Sequence, residues 1–102
     1  MQSLIEVHRQ EIVRLCREHE VHRLAVFGSI LRPDFDPVRS DADFLVEFEP
    51  VPVAVRMQHY LALRQALSSL LSRPVDLTEI GAIRNPYILQ NVSQQQKLLY
   101  AA

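Results

Sequence analysis

The sequence predicts an α+β fold, with helices packed on a small mixed β-sheet. Three observations predict it. Short apolar runs end at turn residues, longer stretches carry apolar residues at helical spacing, and the two patterns alternate along the chain. With 102 residues there is enough chain for one domain and too little for two, so residues 1–102 are read as a single domain.

Each element has its own signal. Ser3 followed by Glu6 is a capping box, in which a hydroxyl and a carboxylate satisfy free amides at a helix start. A first helix is expected from there to His19, with Ile5, Ile12, Leu15 and Cys16 on one face. Val21–Phe27 finishes apolar and reads as a buried strand that closes at Gly28-Ser29. Residues 30–40 contain Pro33, Asp34, Asp36 and Pro37 and read as a loop. Residues 41–49 form a second strand, stopped by Pro50 and Pro52.

A long helix is expected over 53–72. Tyr60, Leu63, Ala66, Leu67, Leu70 and Leu71 make its apolar stripe, and Arg64, Gln65, Ser68, Ser69 and Ser72 face away. Met57 and Leu61 fall one turn apart near the polar side, where isolated exposed apolar residues are ordinary. Val75–Thr78 is a short third strand. Asn85-Pro86 has the form of an N-cap followed by proline at the first helical position, starting a last helix of about 86–95. Lys97–Tyr100 is expected as a final edge strand.

Composition narrows the function classes. Apolar residues make up 48%, ample for a core, and charged residues 23%, near the globular average. The net charge is −1 and there is no basic tail. A protein that grips many phosphates carries a basic patch, so direct nucleic-acid binding is disfavoured, whereas a single nucleotide is not. One cysteine, Cys16, makes neither an intramolecular disulfide nor a cysteine zinc site and fits a half-buried core position. A reducing cytoplasm is the expected location. The first residues run straight into charge, unlike a signal peptide, and no apolar run approaches a membrane span. His8, His19, His22 and His59 fall on different elements without zinc-ligand spacing and are read as surface or boundary residues.

Three features carry chemistry. A glycine directly after a buried strand lets the backbone turn tightly and approach a ligand, and the following hydroxyl and amides can hold phosphate oxygens, so Gly28 and Ser29 are candidate nucleotide-binding residues. Taken alone, most Gly-Ser pairs are ordinary turns. Asp41 and Asp43 stand at i and i+2, which in a strand puts both on one face. Two close carboxylates repel, and a shared divalent cation removes the repulsion. The competing reading is a solvated strand end. Asp76 sits between Val75 and Leu77, where a carboxylate is unfavourable unless ligated or turned to the solvated face.

The combination of Leu24-Ala25-Val26-Phe27-Gly28-Ser29, Ser40-Asp41-Ala42-Asp43-Phe44-Leu45-Val46-Glu47-Phe48 and Val75-Asp76-Leu77 resembles the polymerase-β-like nucleotidyltransferase superfamily, in its minimal nucleotidyltransferase branch. Leu98-Leu99-Tyr100 resembles the usual end of these small proteins, so the likeness covers nearly the whole chain. The resemblance implies the polymerase-β-like fold and transfer of AMP from ATP with release of pyrophosphate. It also implies two Mg2+ ions, with Mn2+ as an alternative, held by Asp41, Asp43 and Asp76 as catalytic and metal-binding residues. Two departures stand out. The eleven residues between Ser29 and Asp41 are one more than the family pattern usually has, and Ile30 replaces an arginine common after the Gly-Ser pair. Arg32 and Arg39 are the remaining candidates for phosphate contact.

Larger relatives bring an extra domain for the acceptor, and here the fold consumes the chain. The resemblance implies a second chain as acceptor, a small helical HEPN-domain toxin modified on a tyrosine hydroxyl by this chain as antitoxin. Two alternatives stay open: an antitoxin that binds nucleotide but acts by contact, and a substrate-binding subunit of a two-chain enzyme acting on a small molecule. The sequence leaves base preference and homo-oligomerisation open.

Overall fold

A computed structural model of the chain describes residues 3–27, 42–80 and 97–102. The elements are α1 (Ser3–Val7), α2 (Arg9–Glu18), β1 (Val21–Phe27), β2 (Ala42–Phe48), α3 (Val53–Leu71), β3 (Val75–Glu79) and β4 (Lys97–Ala101). The strands form one sheet in the order β3-β2-β1-β4. β1 runs antiparallel to both β2 and β4, and β2 runs parallel to β3. Parallel neighbours need a crossover, which α3 supplies between β2 and β3. The mixed sheet expected from the sequence is thus present, with β4 on one edge. The helix expected over 86–95 lies outside the described residues.

Alternation along the strands decides which face is covered by helices. Leu24 and Val26 of β1, Ala42, Phe44 and Val46 of β2, and Val75 and Leu77 of β3 are buried and join one cluster. From the helices the cluster takes Ile5, Ile12 and Cys16, with Leu63, Leu67 and Leu71 of α3. These are the positions that helical spacing singled out. The flanking Tyr60 and Leu70 pack against the cluster half-buried. Met57 and Leu61 are both 59% exposed, as their side of the helix requires. Burial pushes the Cys16 thiol up to about 12, so it stays a protonated core residue. No helix among the described residues is long and apolar enough to cross a membrane.

The first helix departs from expectation. Instead of one helix to His19, the chain breaks at His8, whose φ of −103° and ψ of 12° leave the helical range. Its amide reaches only three residues back, to the carbonyl of Ile5 at 3.2 Å, and its own carbonyl accepts from Ile12 at 2.9 Å to open α2. No glycine or proline marks this break. Glu6, expected to cap its own helix, has one carboxylate oxygen 3.0 Å from both Arg9 Nη1 and Lys97 Nζ. The Lys97 hydrogen bond is the largest influence holding its carboxyl below the usual range. That contact ties α1 to the edge strand β4.

Helix α3 ends on a left-handed residue, Ser72, at φ 56°. The amide of Arg73 returns to the carbonyl of Ser68 at 3.2 Å, and Pro74 prevents continuation.

Helices α2 and α3 meet through an edge-to-face pair, His19 and His59, with ring centroids 5.6 Å apart. Partial burial, then the neighbouring His59, hold His19 below its ordinary value of 6.5, and Glu18 opposes them. The folded chain therefore protonates His19 at lower pH than the unfolded chain does. Its contribution to stability is present above 6.5 and is lost as pH falls through the lower folded value. Thermal melts from about pH 7.5 down to about pH 5 should show falling stability, with a shallower decline in His19→Gln. An equal pH dependence in that variant would remove His19 as a cause.

Candidate functional site

The face of the sheet turned away from the helical core carries the candidate site. Asp43 lies between the buried Ala42 and Phe44, and Asp76 between the buried Val75 and Leu77, so alternation sends both carboxylates to the opposite face. Asp43 is half-buried and Asp76 exposed. That resolves the oddity of a carboxylate inside an apolar stretch: Asp76 occupies the solvent side of its strand.

Register brings the two together. In the parallel pairing of β2 with β3, Asp43 stands directly beside Asp76. Neighbouring strands lie about 4.8 Å apart, so these residues are immediate lateral neighbours. The amide of Ala42 donates to the carbonyl of Pro74 at 3.1 Å, fixing this register where the two strands begin. On its other side Asp43 pairs with Phe27, the last residue of β1. One row therefore crosses three strands at one end of the sheet, through Phe27, Asp43 and Asp76. The chain passes from Phe27 directly into Gly28-Ser29, and it enters β2 directly from Asp41. Gly28, Ser29, Arg32, Arg39 and Asp41 themselves lie outside the described residues.

Two adjacent carboxylates repel when both are charged, and a cation between them would relieve the repulsion. Their oxygens are hard donors of the kind a magnesium-like cation prefers, with room for water and phosphate oxygens around it. Among the described residues no group of three or more His, Cys, Asp and Glu is placed to hold a metal. The third carboxylate of the expected set, Asp41, is not among them.

The other end of the sheet is different in kind. There Arg23 lies 4.0 Å from Glu47, Arg56 3.2 Å from Glu79, and His22 3.2 Å from Glu49. These are matched pairs on partly exposed side chains, each worth little to stability. The two arginine pairs bring opposite charges together, whereas the other end of the sheet sets two aspartates side by side.

The residue that periodicity alone undervalued is Tyr60. The sequence places it in the apolar stripe of α3, and its ring does pack against the core, but its hydroxyl donates to the carbonyl of Leu77 on β3. The one available signal was the choice of tyrosine where phenylalanine would fill the stripe.

Comparison with known proteins identifies the family and the fold. The model of the nucleotidyltransferase domain family matches residues 9–99. A Methanocaldococcus jannaschii protein provisionally named a protein adenylyltransferase is 37% identical over 86 residues, covering 84% of this chain and 82% of that protein. A solved structure provisionally described as a minimal nucleotidyltransferase superposes with a TM-score of 0.71 at 28% identity, covering 91% of this chain and 90% of the other. The fold is also shared with a structure of a tri-AMPylated Shewanella oneidensis HEPN toxin in complex with its MNT antitoxin. There the TM-score is 0.65 at 24% identity, over 100% of this chain and 74% of the other. The family model spans nearly the whole chain, and the fold superposes on a structure provisionally described as a minimal nucleotidyltransferase: the chain belongs to the nucleotidyltransferase domain family.

Proposed function

We propose that this chain moves AMP from ATP to a tyrosine hydroxyl of a partner protein, a small helical HEPN-domain toxin, and thereby acts as its antitoxin. The observation that carries the site is the row in which Asp43 and Asp76 stand side by side next to the end of β1. The acceptor rests on likeness: the Shewanella antitoxin sits in complex with an AMPylated HEPN toxin, and the Methanocaldococcus relative bears the name of a protein adenylyltransferase.

In this reading Asp41 and Asp43 hold divalent cations, Mg2+ or in its place Mn2+, and Asp76 joins them at the catalytic ion. Two such ions neutralise the charge of the triphosphate and of the transition state. Gly28 and Ser29 hold the triphosphate tail, with Arg32 or Arg39 against its oxygens. The acceptor oxygen attacks the α-phosphorus in line. The bond from that phosphorus to the bridging oxygen breaks, pyrophosphate departs, and the hydroxyl proton passes to Asp76. The protein's task is positioning and charge neutralisation, as in phosphoryl transfer generally.

Isotope position tests the reaction type. With ATP labelled at the α-phosphate, the acceptor should become labelled, and with ATP labelled at the γ-phosphate it should not. Removal of divalent cations with EDTA should stop the α-label. Label arriving from the γ-phosphate would make the chain a kinase and overturn this reading.

A further inference from the structure

Helix α3 is joined to the segment carrying Asp76 at three places. Ser68 Oγ donates to the carbonyl of Arg73 at 2.7 Å, Arg56 Nε lies 3.2 Å from Glu79 Oε1, and Tyr60 Oη donates to the carbonyl of Leu77. The first holds the start of this segment, and the second is a partly exposed ion pair at its end. The third falls at the residue next to Asp76.

Among the described residues β3 is an edge strand of five residues, hydrogen-bonded only to β2. Alternate residues of an edge strand turn their N–H and C=O away from the sheet, where no strand receives them. The Leu77 carbonyl is received by Tyr60 instead. When Leu77 faces outward, its neighbours Asp76 and Thr78 turn their backbone groups toward β2, the orientation that keeps Asp76 beside Asp43. The Tyr60 ring is half-buried against the core, so its hydroxyl is held on a fixed arm.

We propose that Tyr60 is a positioning residue for Asp76. Its hydroxyl clamps the edge strand from the helix side and thereby sets the distance between the Asp76 and Asp43 carboxylates. The proposal rests on the reading of Asp76 given under Proposed function. Without the hydroxyl, the Leu77 carbonyl bonds to water, and β3 is held at its ends but loose where Asp76 sits. Misplacement by 1 Å costs on the order of a hundredfold in a positioned site, so partial loosening should cost about tenfold.

The test uses the full chain with Tyr60→Phe, which keeps the ring, and Ser68→Ala, which removes a tie from the same helix at a distance from Asp76. Three quantities are read: the thermal midpoint, amide hydrogen exchange of β3 against β1, and calorimetric affinity for AMP-PNP in the presence of Mn2+. Tyr60→Phe should lower the midpoint by only a few degrees, quicken exchange at Asp76 and Thr78 but not at Leu24–Val26, and weaken Mn2+·AMP-PNP binding about tenfold. Ser68→Ala should lower the midpoint similarly and leave that affinity within about twofold of wild type. Asp76→Asn, run alongside, separates the role of Tyr60 from that of Asp76 itself. If Asp76→Asn weakens binding while Tyr60→Phe binds as wild type, the positioning role is overturned and the site reading stands. If Asp76→Asn also binds Mn2+·AMP-PNP as wild type, the site reading fails and the role of Tyr60 with it. Equal weakening by Tyr60→Phe and Ser68→Ala reduces Tyr60 to general stabilisation and overturns the proposal.

Discussion

Replacing Asp76 by asparagine should lower AMP transfer at least about a thousandfold and leave the fold intact. A thousandfold is about 4 kcal/mol of transition-state stabilisation, and a positioned general base alone supplies on the order of a hundred- to ten-thousandfold. In the proposed reaction Asp76 is both that base and a cation ligand, so asparagine removes two contributions at once. Stability should barely move, because Asp76 is exposed, the change is isosteric, and exposed substitutions usually fall within about 0.5 kcal/mol. A small gain is consistent with its place beside Asp43, since asparagine relieves repulsion between lateral neighbours. Initial transfer rates and thermal melts on the same preparation check both halves. A variant with wild-type rates would remove Asp76 from the site, and one that unfolds would mark it as structural.

The largest effect on stability is expected from Phe44→Ala. Phe44 is fully buried at the middle of β2, with Val26 of β1 on one side and Leu77 of β3 on the other. Its ring belongs to the core cluster between sheet and helices. Phe-to-Ala changes in such positions cost about 3–5 kcal/mol, from lost transfer energy and the cavity left behind. Domains of this size have about 5–15 kcal/mol in total. Urea titration should therefore show most of the stability gone, and the thermal midpoint should fall by more than about 10 °C. A loss below about 1 kcal/mol would mean that the core closes over the gap.

Asp76 and Phe44 lie on neighbouring strands but differ in how far the sequence reveals them. Phe44 was legible because strand alternation and apolar character agree. Its strand, the buried faces of α2 and α3, and the edge strand at Lys97 were readable for the same reason: burial dominates the energetics and imposes its period on the sequence. The break at His8 was not legible, since Glu6, Val7, His8 and Arg9 are all compatible with continuous helix, and the Glu6–Lys97 contact beside it joins residues ninety-one apart. Asp43 and Asp76 were each visible as unusual carboxylates. Their meeting was not, because it depends on parallel pairing and register between strands separated by a long helix, and local spacing says nothing about register. The hydroxyl of Tyr60 was hidden for a related reason, as its partner is a backbone carbonyl that carries no signature of its own.

The direct measurement of the central claim is the intact mass of the partner toxin after incubation with this chain, ATP and Mg2+. With the wild-type chain the toxin should gain one AMP unit, or a small number of them, on a tyrosine. With Asp43→Asn or Asp76→Asn, both of which should remain folded, the toxin should show no gain. A toxin that is neutralised without any change in mass, and equally well by the Asp76→Asn chain, would contradict the claim and show that the chain acts by contact alone.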